Sequence, residues 1–166
     1  MSVIIKNGNI LDSGAEVICH QVNCMGKMNS GVAKAIREKW PKVYTEYHSL
    51  AKNLSPEEFC DEDLSWTYML GHIQSVLIPK DRGFQIVINM FAQNGYGYDG
   101  RRYTSYDAFW SCLGEIKNSV APGTTIALPY NIGCVRGGAN WNIIYAMIIE
   151  VLGKDYNVEL WRLDNG

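Results

Sequence analysis

The segment from Glu16 to Ala33 constrains this chain more than any other. An apolar strand, Glu16 to Val22, runs through His20-Gln21-Val22 into the loop Asn23-Cys24-Met25-Gly26-Lys27-Met28-Asn29, and helical spacing begins at Ser30-Gly31-Val32-Ala33. A strand that passes directly into a helix belongs to a sheet covered by helices. The first N–H groups of such a helix lack intrahelical partners, and its dipole places partial positive charge beside the glycines. The turn is therefore an anion site. His20 and Asn23 bring side chains capable of polar work to the junction of strand and loop.

The remaining elements fit the same architecture. Val3 to Lys6 reads as a strand closed by the turn Asn7-Gly8-Asn9. Val32, Ile36 and Trp40 lie at helical spacing, and Pro41 restarts a second helical piece through Lys52. The acidic stretch from Leu54 to Leu70 reads as a loop or short helix. Strands at His72–Pro79 and Phe84–Phe91 flank the turn Lys80-Asp81-Arg82-Gly83. Thr104 with Asp107 reads as a capping pair for a helix through Asn118. A strand at Thr124–Pro129, a helix at Trp141–Leu152 and a strand at Val158–Leu163 complete the order. The expected fold is α/β, a three-layer α/β/α arrangement around a mixed, mostly parallel sheet, with residues 1–166 forming a single domain. Ligands of such sheets bind beyond the carboxyl ends of the strands, so both glycine-rich loops are expected over one crevice.

The second loop is Gly133-Cys134-Val135-Arg136-Gly137-Gly138-Ala139-Asn140, leading into Trp141. Its glycines let backbone N–H groups close on an anion. Two such loops face to face fit a diphosphate. Neither carries Gly-x-Gly-x-x-Gly or a Walker lysine motif, which argues against a dinucleotide fold and a P-loop.

Composition excludes other classes. A formal charge of −2 opposes wrapping of a nucleic-acid polymer. The five cysteines include no Cys-x-x-Cys pair and imply neither a disulfide framework nor a zinc site. No metal or cofactor is implied. No apolar signal core follows Met1, and Ile143–Leu152 is too short for a membrane span. A monomeric cytoplasmic protein is expected.

Over essentially its full length the chain resembles macro domains, an ADP-ribose-binding family. The matching residues are Lys6-x-Gly8-Asn9-Ile10, His20-x-x-Asn23-Cys24-x-Gly26, Ser30-Gly31-Val32-Ala33, Leu128-Pro129-x-x-Ile132-Gly133-Cys134, and Trp141. The spacing is most similar to a branch of ADP-ribose 1″-phosphate phosphatases that includes related phage proteins. The resemblance implies that Asn9 replaces an adenine-reading aspartate, with the backbone of Gly8 and Ile10 beside the base. It implies that Asn23, next to Gly26, holds the distal ribose. Ser30, Gly31 and Val32 would take one side of the diphosphate. Val135, Arg136, Gly137 and Gly138 would take the other, with Ile132, Gly133 and Cys134 also among the ligand-binding residues. Trp141 reads as packing.

Departures bear on the chemistry. Many protein-linked ADP-ribose hydrolases of the family carry an asparagine and an aspartate where this chain has Gly26 and Ala33. Another branch uses a lysine and an aspartate where Met90 and Gly137 stand. His20 is the candidate catalyst, together with Asn23. An imidazole can give or take a proton near neutral pH or attack phosphorus, and sequence does not separate these roles. The implied functions are hydrolysis of ADP-ribose 1″-phosphate, binding of ADP-ribose without turnover, or release of ADP-ribose from modified macromolecules.

In the loop Gln93 to Tyr103, glycines permit movement, Tyr96 can cover a sugar or base, and Arg101 and Arg102 can meet phosphate. Tyr103 and Tyr106 read as packing. Cys24 reads as a small buried residue, and His48 and His72 as structural.

Overall fold

The computed structural model describes residues 2–54, 67–97 and 99–163. Most of the acidic stretch, with Cys60 and Tyr98, lies outside these residues. Among the described residues six strands form one sheet: β1 (Val3–Asn7), β2 (Val17–Asn23), β3 (Ile73–Pro79), β4 (Phe84–Gln93), β5 (Thr125–Pro129) and β6 (Asn157–Arg162). Their spatial order is β1-β6-β5-β2-β4-β3. All neighbours run parallel except the hairpin of β3 and β4.

Among the described residues four helices cover the sheet: α1 (Gly31–Lys39), α2 (Pro41–Leu54), α3 (Tyr106–Ser119) and α4 (Trp141–Leu152). Ile36, Val43 and Tyr47 of α1 and α2 pack with Val22, Val76 and Val87 of the sheet. On the opposite face, Phe109, Leu113, Ile144 and Ile148 of α3 and α4 pack on Cys19, Ile88 and Ile126. Strand β2 is buried on both faces because both are covered by helices, the signature of an interior parallel strand. Pro41 opens α2, where its missing N–H costs no helical bond, while the Trp40 N–H closes α1 on the Ile36 carbonyl. Among the described residues no helix is long and apolar enough to cross a membrane.

The elements agree with the sequence reading, with boundaries displaced by a residue or two. One cap differs. Ser105, not Thr104, caps α3 by accepting from the Ala108 N–H. The Thr104 hydroxyl is committed elsewhere: it accepts from Gln21 Nε2 and donates to the Gly133 carbonyl, each at 2.8 Å.

The topology positions the site. Because β2, β4 and β5 are parallel and adjacent, the loops that follow them leave from one edge of the sheet. Strand β1 lies three places from β2 across β6 and β5, on the order of 14 Å at ordinary strand spacing.

Candidate ligand site

A cavity of about 300 Å³ opens where the loops after β2, β4 and β5 converge. Its walls are His20 to Asn23, Lys27, Asn29 and the first turn of α1 from one side. Pro129 to Gly133 and Val135 to Gly137 form the other, with Gln93, Tyr96 and Gly97 above. Both glycine-rich loops thus face one space. Its charged lining residues are Lys27 and Arg136, with no carboxylate among the described ones.

The first turn of α1 is built for an acceptor. Ser30 is the N-cap but makes no side-chain cap hydrogen bond, so its hydroxyl does not occupy the opening N–H groups. Gly31 adopts φ +59°, and a Cβ there would meet nothing within 4 Å.

Asn23 organises its own loop. Oδ1 accepts from the N–H groups of Met25 and Lys27, and Nδ2 donates to the Lys27 carbonyl at 2.8 Å. The Tyr47 hydroxyl of α2 donates to the Asn23 carbonyl and to Oδ1. Strict alternation would put His20 and Asn23 on opposite faces of β2. A register shift against β4 between Val22 and Asn23 breaks that alternation, and both residues reach the cavity wall.

His20 is buried, with 1% of its surface exposed. Its Nε2 lies 2.5 Å from Asn89 Oδ1, and Nδ1 has no partner among the described residues. Burial lowers its pKa to about 4, against the opposing effect of the Asn89 bond. The ring is therefore neutral at physiological pH and offers a lone pair. Cys24 is fully buried, and burial raises its thiol to about 12, which removes it as a nucleophile.

The second loop is held from beneath. The N–H groups of Tyr103 and Thr104 donate to the Gly137 carbonyl, and the Ala139 N–H donates to Gly133. A Cβ at Gly137 would collide with Thr104 Oγ1 and come within 2.5 Å of the Gly133 carbonyl oxygen. Gln21 joins this support by donating to Thr104 and to Gln93 Oε1.

Of the residues singled out from sequence, His20, Asn23, Ser30, Gly31, Val32, Tyr96, Ile132, Gly133, Val135, Arg136 and Gly137 line the cavity. Gly8, Asn9, Ile10, Gly26, Cys134 and Gly138 do not. Asn9 follows edge strand β1, where its side chain caps a short 3-10 turn on the Leu11 N–H. Ile10 is buried, Gly26 adopts φ +75°, and Gly138 abuts the Arg101 carbonyl. Arg101 pairs with Asp99 at 2.7 Å and, like Arg102, stays out of the wall. Trp141 packs its ring at a tilt against Tyr130 and Tyr145. Gln21, Lys27, Asn29, Gln93 and Tyr130 line the cavity without having been read from sequence. Lys27 alone carried a legible signal, as a cation inside an anion-binding loop.

The fold compares closely with solved structures. The macrodomain of Mycobacterium tuberculosis DarG superposes with a TM-score of 0.67, covering 95% of this chain and 97% of that one at 18% identity. The chain has the macrodomain fold. A second match is Thermosipho africanus DarTG, solved in complex with ADP-ribose. Its TM-score is 0.75 at 16% identity, over 99% of this chain and 42% of that one. An ADP-ribose 1″-phosphate phosphatase from Aspergillus oryzae is 38% identical over 60 residues. That match spans 34% of this chain and 29% of the phosphatase. No family model matches the chain.

Proposed function

We propose that this macrodomain binds ADP-ribose in the cavity and hydrolyses ADP-ribose 1″-phosphate to ADP-ribose and phosphate. The observation that carries the reading is the pairing of the α1 N-terminus with the Val135–Gly137 loop across one cationic cavity that has His20 and Asn23 in its wall. Gly31, Val32 and the facing loop bind the diphosphate through backbone N–H groups. Asn23 holds the distal ribose. The adenine lies toward Gly8, Asn9 and Ile10, further along the same sheet edge. The partial match to the Aspergillus phosphatase supports the choice of substrate.

In the reaction, water attacks phosphorus, and the bond from phosphorus to the ribose oxygen breaks. A neutral His20 takes the proton from the attacking water and passes it to the ribose oxygen as inorganic phosphate leaves, while the loop N–H groups stabilise charge on the phosphoryl oxygens. The test is phosphate release from ADP-ribose 1″-phosphate by wild type and by His20→Ala. Loss of release in the variant is expected. Equal release by both, or none by either at high protein concentration, overturns the mechanism.

The burial of His20 favours a second reading, a module that binds ADP-ribose without turnover. Recovery of intact ADP-ribose 1″-phosphate from a saturated complex with wild type would establish it. Glycine at 26 and alanine at 33 leave release of ADP-ribose from modified macromolecules without the side chains used by its commoner hydrolases.

A further inference from the structure

His20, Asn89 and Gln74 stand in one row across three adjacent strands: His20 pairs in register with Asn89, and Asn89 with Gln74. The polar contacts along this row have a fixed direction. The backbone carbonyl of Glu46 on α2 can only accept, so the Gln74 atom 2.9 Å from it is the Nε2 donor. Gln74 then presents Oε1, which accepts from Asn89 Nδ2 at 3.0 Å. Asn89 in turn presents Oδ1 to the imidazole. Only a protonated Nε2 satisfies that oxygen, which leaves Nδ1 of the neutral ring with its lone pair free. Nδ1 is buried and has no partner among the described residues, although His20 belongs to the cavity wall.

We propose that Asn89, oriented by Gln74 and the Glu46 carbonyl, is a positioning residue that holds His20 in the Nε2–H tautomer and reserves Nδ1 as acceptor for a hydroxyl or water delivered by the cavity's ligand. This rests on the reading of the cavity as an ADP-ribose site. Nitrogen-15 NMR of the histidine ring tests it directly. In wild type, His20 is expected to show a protonated Nε2 and an unprotonated Nδ1, whose resonance moves when ADP-ribose is added. Asn89→Leu removes the acceptor and is expected to change the tautomer ratio at least tenfold. Asn89→Asp keeps an acceptor and is expected to retain the wild-type tautomer. A protonated Nδ1 in the free wild type overturns the proposal without recourse to any variant. An unchanged ratio in folded Asn89→Leu does so too, as does an Nδ1 resonance unmoved by ADP-ribose that calorimetry shows to be bound. A calorimetric blank with ADP-ribose instead overturns the reading of the cavity and the ligand half of the proposal, while the tautomer measurement still decides the role of Asn89.

Discussion

The hydroxyl of Thr104 donates to the Gly133 carbonyl at 2.8 Å and fills the space a Cβ would need on Gly137. A residue that precedes α3 thus sets the shape of the loop between β5 and α4, one wall of the cavity. Gly137→Ala is expected to destabilise the protein by about 3 kcal/mol through overpacking and to open the loop. Thr104→Ala loses the bonds to Gly133 and Gln21 and is expected to cost about 1 to 2 kcal/mol. Because the alanine leaves the Oγ1 position empty, the double variant should lose less than the two single losses together. Chemical denaturation of the four proteins measures this, and strict additivity would contradict the contact.

Tyr47 links α2 to the loop that follows β2. Its hydroxyl donates to the Asn23 carbonyl at 2.7 Å and to Oδ1 at 2.9 Å. Tyr47→Phe keeps the ring packing on Phe91 and removes the hydroxyl that makes these bonds. A stability loss of about 1 kcal/mol is expected, with weaker ADP-ribose binding as the Asn23 amide loosens. Calorimetry alongside thermal unfolding checks both, and unaltered affinity would detach Asn23 from the ligand.

His20 gives stability a defined pH dependence. The unfolded imidazole takes up a proton near 6.5, whereas in the folded protein its pKa falls to about 4 because burial opposes the charge. Between those values the unfolded state binds more protons, so stability falls as pH drops from 6.5 toward 4 and is fully present above 6.5. The expected loss attributable to His20 is about 3 kcal/mol by pH 4. His20→Asn should lack it. Denaturation midpoints of the two proteins across this range make the comparison, and parallel profiles would contradict it.

Much of this was legible in the sequence for definite reasons. Apolar runs and glycine-bounded turns located all six strands, and Pro41 marked the break between α1 and α2. The strand-to-helix junctions at Ser30 and Trp141 placed two facing loops, because parallel strands must present their carboxyl ends together. What stayed hidden depends on pairing across the sheet. The shift at Val22 and Asn23 arises from register with β4, and the Asn89 partner of His20 is 69 residues distant in sequence. Thr104 looked like a cap because a threonine before a helix usually is one. Its hydroxyl is instead committed to Gln21 and Gly133, partners that only the fold brings near.

Val135 offers the most direct test of the central claim. It lines the cavity yet is 81% exposed, so Val135→Glu places a carboxylate beside the proposed diphosphate without disturbing the core. ADP-ribose should titrate into wild type with one-to-one stoichiometry in a calorimeter and bind the folded variant at least tenfold more weakly. No binding to wild type, or equal affinity for the variant, would contradict an ADP-ribose diphosphate held between α1 and the loop of Val135.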